Sequence, residues 1–168
     1  MNPDFKDQPF YKETDFKPLK GVSMRLDKKS TYISMTKMLG ELRSPCLKRH
    51  IGCIITNDEG HIKAIGYNGP PKGFPHCIEC RRPKDLFPKQ LPACPSVHAE
   101  ANALLQLEDK RFSTILYTTT HPCIECVKLI ANTNIKHIYY QQEYNTNPRD
   151  KDLIGEILRN ARIFCLQL

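Results

Sequence analysis

The sequence lacks any apolar run that approaches the roughly 20 residues needed to cross a bilayer, so we expect no membrane-spanning segment. It also lacks the apolar core of a signal peptide, since residues 1–6 read MNPDFK. No internal repeat is present. Together these absences argue against a membrane protein or a secreted one, and they predict a soluble, cytoplasmic protein.

What the chain does contain is eight cysteines, two pairs of which have C-x-x-C spacing. In a chain without a secretory start, that spacing favours metal ligation in a reducing compartment over a disulfide scaffold.

The length of 168 residues is enough for one domain with a sizeable core but too short for two. We expect the domain to span residues 27–168. Residues 1–26, rich in proline and alternating charge, are predicted to be an irregular arm, either a mobile tail or a segment packed on the body or on a neighbouring subunit.

The balance of charge is basic, with 25 Lys and Arg against 18 Asp and Glu, a formal net charge of +7. Such a balance favours anionic partners, either nucleotide phosphates or nucleic acid, although it also fits an ordinary basic surface. No stripe of arginines interleaved with exposed aromatic residues is visible, which counts against a long nucleic-acid-binding surface.

Hydrophobic periodicity predicts the element order α-β-β-α-β-α-β-α-β. Ser30 and Ser96 are the expected N-caps of the first two helices, and Pro122 is expected in the first turn of the third. The predicted helices are 30–42, 97–107, 123–132 and 150–160, and the predicted strands are 51–56, 61–66, 114–118, 135–140 and 162–166. A hairpin followed by β-α-β crossovers implies a five-stranded mixed sheet with helices on both faces, a three-layer α/β/α sandwich.

Two short motifs carry the chemistry. Cys123 and Cys126 are three residues apart at a predicted helix start, so both sulfurs face one way and could bind one zinc ion with His98. A fourth position would remain for water, and Glu100 would move protons. A structural zinc or a redox pair is the alternative for the cysteines, but it leaves Glu100 unexplained. His121 either lines the resulting pocket or fills it.

These motifs resemble the cytidine deaminase-like superfamily, whose signature is H-x-E followed by P-C-x-x-C. The resemblance runs from about Ser30 to the C-terminus and is closest to deoxycytidylate (dCMP) deaminases of bacterial and phage type. Gly-Tyr-Asn-Gly-x-Pro-x-Gly at 66–73 separates this group from tRNA adenosine deaminases and free-cytidine deaminases better than the zinc motif does. The other matching stretches are 43–46, 98–103, 122–126, 139–140 and 143–144.

The resemblance implies hydrolytic deamination of dCMP to dUMP by a zinc-dependent hydrolase. Asn68 would hydrogen-bond the sugar or base, and the Ala99 backbone would help to read the base edge. A homohexamer is also implied, with dCTP and dTTP as effectors and Lys72 near a triphosphate. The alternatives to these roles are that Asn68 only forms a turn and that Lys72 is an ordinary exposed lysine.

The alternative activities are deamination of dCTP, or of a base in single-stranded nucleic acid or tRNA. A third possibility is a zinc-bearing binding protein without catalysis.

Some bacterial and phage relatives of this type carry a second, structural zinc. By resemblance, Cys46, Cys77, Cys80 and Cys94 would form a closed site of four thiolates that fixes the long loop. His76 could replace one thiolate, and Cys46 could instead be a buried apolar thiol.

The residues that would bind a substrate phosphate are not named by any motif. The candidate cations are Arg49, His50, Lys72, Arg81 and Arg82. Nothing in the sequence ranks them.

Overall fold

The computed structural model describes residues 26–80, 94–108, 114–144 and 146–168. The predicted arm therefore lies outside the described residues except for its last position. The elements follow the predicted order, and their bounds are α1 Lys28–Arg43, β1 Gly52–Thr56, β2 Ile62–Tyr67, α2 Ala99–Gln106, β3 Ile115–Thr120, α3 Ile124–Ala131, β4 His137–Gln142, α4 Pro148–Asn160 and β5 Phe164–Gln167.

The five strands form one sheet in the order β2-β1-β3-β4-β5. β1 pairs antiparallel with both β2 and β3, whereas β4 pairs parallel with β3 and β5. The predicted hairpin and the two parallel crossovers are thereby confirmed. The sheet is mixed, as the sequence indicated, with β3 at its centre.

Helices cover both faces of the sheet, which confirms the three-layer sandwich. Because side chains alternate along a strand, Leu116 and Tyr117 of β3 point to opposite faces. Leu116 belongs to the larger core, which α2, α3 and α4 cover, and Tyr117 belongs to a smaller cluster with Ile33 of α1 and Tyr139.

The predicted helix starts need correction. α1 is capped by Asp27, whose carboxylate accepts hydrogen bonds from the backbone N–H groups of Lys29 and Ser30, so Ser30 lies inside the helix. α2 is preceded by His98 at the N-cap position, two residues after the predicted Ser96. α3 has Cys123 at its N-cap, and Pro122 therefore precedes the helix instead of standing in its first turn.

The sheet and α2 approach each other closely at Gly66. A Cβ at that position would lie 2.2 Å from the backbone oxygen of Ala99 and 2.5 Å from the backbone nitrogen of Ala103. The Asn102 side chain reinforces the contact by donating a hydrogen bond to the Tyr67 carbonyl at 2.8 Å. Only glycine permits this approach, which sets the height of the α2 N-terminus above the sheet.

None of the helices within the described ranges combines the length and the apolar character that crossing a membrane requires.

Candidate active site

Three of the predicted zinc ligands meet at the N-termini of α2 and α3. Potential ligand atoms of His98, Cys123 and Cys126 all lie within 4.8 Å of one another. His98 Nδ1 is 3.3 Å from the Cys123 sulfur and 3.4 Å from the Cys126 sulfur. For a tetrahedral zinc, the usual Zn–N and Zn–S bond lengths place such atoms about 3.6 Å apart. The donor set and its spacing therefore fit a zinc ion.

The positions of these ligands explain the helix starts. His98 and Cys123 occupy N-cap positions, yet neither side chain caps its own helix. Cys126 lies three residues after Cys123, on the same side of the first turn of α3. The two N-termini thus present an imidazole and two sulfurs to one point, where the helix dipoles favour negative charge.

The two cysteine thiols affect each other's pKa. Hydrogen bonding with Cys126, followed by the effect of His98, lowers the pKa of the Cys123 thiol despite its burial. The same hydrogen bond, together with burial, raises the pKa of Cys126. The lowered pKa of Cys123 favours the thiolate, which is the form that binds metal.

Glu100 lies directly beside the ligand group, in the first turn of α2. Its side chain is buried, with 4% of the residue exposed. One carboxylate oxygen, Oε2, is 3.5 Å from the Cys126 sulfur, and the other, Oε1, accepts a hydrogen bond from the Thr118 hydroxyl at 3.1 Å. Burial raises the pKa of Glu100 from its ordinary value, and His98 and Thr118 partly oppose the increase. A raised pKa suits a carboxyl group that must both accept and donate protons.

A cavity of about 330 Å³ opens onto this group. That volume lies within the range of small-molecule sites. The residues of its lining that bear on the predictions are Cys46, Lys48, Arg49, Asn68, Cys80, Cys94, His98, Ala99, Glu100, His121, Cys123, Cys126 and Tyr144. The structure therefore brings Asn68 and Ala99 to the same cavity as the ligand group, and it places His121 in the wall.

Asn68 reaches this cavity because its loop is tied to the entry of α2. Gly69 and Val97 exchange backbone hydrogen bonds of 3.1 and 2.7 Å. The Asn68 amide oxygen accepts from Ser44 and from the Ile51 backbone, and its nitrogen donates to the Arg49 carbonyl at 2.9 Å. The side-chain nitrogen carries a second hydrogen, and the hydrogen bonds among the described residues leave that donor for a ligand.

The structure ranks most of the candidate phosphate-binding cations. Arg49 lines the cavity, where its guanidinium lies 5.2 Å above the Tyr144 ring. His50 lines a neighbouring depression instead. Lys72 is exposed and is absent from the cavity lining, so far as the described residues show. Arg81 and Arg82 lie outside the described residues.

The four cysteines of the predicted second zinc site are only partly brought together. Cys46, Cys80 and Cys94 line the cavity, and Cys77 does not. Within the described part of the chain, these four cysteines and His76 form no group of three ligand atoms as close as the one around His98. All four thiols are free and half-buried.

Lys48 and Thr118 are residues of the site that were not predicted. Lys48 lines the cavity next to Arg49, and the basic run Lys48-Arg49-His50 could have drawn attention to it. Thr118 donates a hydrogen bond to Glu100, but no pattern in the neighbouring sequence indicates this contact. Strand alternation could place Thr118 on the same face as Leu116, but not beside a residue of α2.

The chain is similar to known deaminases in sequence and in structure. It is 34% identical to the deoxycytidylate deaminase of Saccharomyces cerevisiae over 137 residues, which cover 79% of this chain and 42% of the yeast protein. It is 35% identical to the deoxycytidylate deaminase of Mycobacterium phage D29 over 109 residues, 60% of this chain and 84% of the phage protein. This chain thus spans about two fifths of the length of the yeast relative.

A solved structure extends the likeness to the fold. The dCMP deaminase of the cyanophage S-TIM5, in complex with dCMP and dUMP, superposes with a TM-score of 0.64 at 28% identity. The match covers 86% of this chain and 99% of that one. The family described as "Cytidine and deoxycytidylate deaminase zinc-binding region" matches residues 26–142, which include both halves of the ligand group. From this match and from the zinc-compatible group of His98, Cys123 and Cys126, we conclude that the chain belongs to the cytidine and deoxycytidylate deaminase family.

Proposed function

We propose that the protein is a zinc-dependent hydrolase that converts dCMP to dUMP. The observation that carries the proposal is the buried Glu100 carboxylate beside a His-Cys-Cys group at the base of a cavity. The similarity to deoxycytidylate deaminases supports the choice of substrate.

In this proposal, His98, Cys123 and Cys126 hold the zinc ion, which when bound lowers the pKa of a water molecule toward neutrality and makes it a nucleophile. Glu100 would take one proton from the attacking water and give it to the ring nitrogen, and would then take the second proton from the added hydroxyl and give it to the amino group, which leaves as ammonia. The raised pKa of Glu100 suits a group that must both accept and donate. The backbone of Ala99 and the remaining amide N–H of Asn68 are proposed to contact the base and the sugar.

The 5′-phosphate is proposed to bind Lys48 and Arg49, which supply cationic side chains to the cavity wall. Stacking on the Tyr144 ring restricts the position of the Arg49 guanidinium. Arg49→Gln should then raise KM for dCMP by roughly tenfold or more, the value of one charge-assisted hydrogen bond, and leave turnover of deoxycytidine unchanged.

Arg43→Gln is the matched control for Arg49→Gln. The Arg43 guanidinium stacks on Tyr67 in the same way, at 5.5 Å, but Arg43 does not belong to the described lining of the cavity. Equal effects of the two substitutions on KM for dCMP would contradict a phosphate-binding role for Arg49.

The activity is tested by measuring ammonia release from dCMP, dCTP, deoxycytidine and a cytosine-containing single strand. We expect dCMP to be the preferred substrate, Glu100→Gln to abolish turnover while zinc stays bound, and Cys123→Ala to lose both zinc and activity. Turnover of the strand alone would show that the enzyme acts on a base in nucleic acid. Full function of Glu100→Gln with zinc in place would instead indicate a binding protein.

A second zinc held by Cys46, Cys77, Cys80 and Cys94 remains a proposal. Its support is that three of the four thiols line one cavity, beside the loop that carries Asn68. Metal analysis should give two zinc equivalents per chain for the wild type and one for Cys77→Ser. A single equivalent that Cys77→Ser and Cys94→Ser leave unaffected would exclude the site.

The remaining proposals rest on resemblance to the family and on the surroundings of single residues. We propose a domain that begins at residue 27, since Asp27 caps the first helix. We propose a reducing, cytoplasmic setting, since all eight cysteines are free.

We also propose a homohexamer regulated by dCTP and dTTP, with the exposed Lys72 as an effector contact. Sedimentation would test the assembly, and loss of dCTP activation in Lys72→Ala would test the contact.

A further inference from the structure

Thr118 lies at the centre of the sheet, yet its hydroxyl reaches the site. Thr118 is fully buried on β3, where it pairs with Cys53 of β1 and Tyr140 of β4. A buried hydroxyl is costly unless it is hydrogen-bonded. The hydroxyl therefore needs a compensating partner, and Glu100 provides it at 3.1 Å.

The contact distinguishes the two oxygens of the Glu100 carboxylate. Oε1 accepts the hydrogen bond from Thr118, while Oε2 lies 3.5 Å from the Cys126 sulfur, on the side of the ligand group. A hydroxyl can donate to Oε1 whether or not Oε2 carries a proton. The bond thus fixes the rotation of the carboxyl group without occupying the oxygen that faces the zinc ligands.

We propose that Thr118 is a positioning residue that fixes the rotation of the Glu100 carboxyl group, with Oε1 toward the sheet and Oε2 on the side of the zinc ligands. This inference rests on the proposed deaminase function, because it assigns a role to a neighbour of the proposed proton carrier. Among the described residues the cavity lining includes Thr120 but not Thr118. Thr118 can therefore influence the substrate only through Glu100, and its removal should affect turnover without affecting binding.

The test replaces the hydroxyl by a methyl group of similar size. Thr118→Val should lower kcat by roughly ten- to a hundredfold, the worth of a hydrogen bond to a charged group, and leave KM for dCMP and the zinc content unchanged. Thr118→Ser, which keeps the hydroxyl, should restore most of kcat. A residue that only stabilises the core would give no such division between kcat and KM.

Thr119→Val is the matched control, because it makes the same chemical change at the next residue of β3. Thr119 is 5% exposed, and its hydroxyl accepts from the Gly52 backbone at 3.3 Å. Its side chain points to the other face of the sheet. We expect kcat of Thr119→Val to stay close to that of the wild type.

A folded, zinc-bound Thr118→Val enzyme with wild-type kcat would overturn the inference, as would an equal loss in Thr119→Val. If Thr118→Val does not fold, Thr118→Ser and Thr118→Ala are compared, and equal kcat values for these two would also overturn it. A wild-type protein that releases no ammonia from dCMP would instead refute the proposed function itself, so the two failures can be distinguished.

Discussion

Gly66 of β2 lies close to the start of α2, and the substitution Gly66→Ala tests how strictly the site depends on this approach. The new Cβ would lie 2.2 Å from the Ala99 oxygen, about 1.2 Å short of the 3.4 Å at which ordinary contact begins. The next nearest atoms, the nitrogen and Cα of Ala103, are also backbone. No side chain can move aside, so α2 must shift away from β2 by about 1 Å.

This shift should reach the site directly, because Ala99 is flanked by His98 and Glu100. Overpacking of a core costs about 1–3 kcal/mol, which corresponds to a fall in Tm of roughly 2–12 °C for a chain of this size. A misplacement of about 1 Å at reacting groups can reduce turnover by roughly a hundredfold. We therefore expect a folded but destabilised Gly66→Ala protein with weakened zinc binding and kcat/KM for dCMP reduced by about that factor.

The assay combines thermal unfolding, zinc content and dCMP turnover. Gly155→Ala is the matched control, because its Cβ would meet only the mobile end of the Arg159 side chain, at 3.3 Å. A glycine inside a helix costs roughly 0.5–1 kcal/mol relative to alanine, so Gly155→Ala should be slightly more stable and fully active. If Gly66→Ala kept wild-type zinc content and kcat/KM, the close approach would not be what positions the site.

Three further predictions concern stability and the cavity. Arg162 has a positive φ of 55° at the end of α4, and Arg162→Gly should stabilise the protein by roughly 0.5–1 kcal/mol in denaturant unfolding, whereas a loss of stability would contradict the strain argument. Ile138 is fully buried in the larger core, so Ile138→Ala should cost about 2–5 kcal/mol in the same measurement, and a cost below about 1 kcal/mol would show that the core collapses around the change. Ser44 donates a 2.7 Å hydrogen bond to the Asn68 amide oxygen, so Ser44→Ala should raise KM for dCMP severalfold with little change in kcat, and an unchanged KM would count against Asn68 as a substrate contact.

The order of elements was predictable because helices and strands follow local periodicity. The hydrophobic pattern of each segment indicates helix or strand without knowledge of its neighbours, and all nine predicted elements are present. The helix starts were less predictable because several neighbouring side chains can serve as the N-cap of the same helix. Asp27 replaces Ser30 at α1, and at α2 and α3 the cap positions are occupied by His98 and Cys123.

The central group of the site could also be predicted. The sequence names His98, Glu100, Cys123 and Cys126, because they form the H-x-E and P-C-x-x-C motifs. The two cysteines, three residues apart at a helix N-terminus, are held on one side by the helix itself. The structure needed only to bring the two N-termini side by side, and the sheet order does so.

By itself the sequence determined what local geometry can encode: the α/β sandwich, the metal-binding residue types and the family to which they belong. Only the tertiary structure decided which cations reach the cavity, how close β2 comes to α2, and that Thr118 touches Glu100 across 18 residues of chain. The physical reason is that these contacts join elements distant in sequence. Their distances depend on how helices pack on the sheet, and no single segment contains that information.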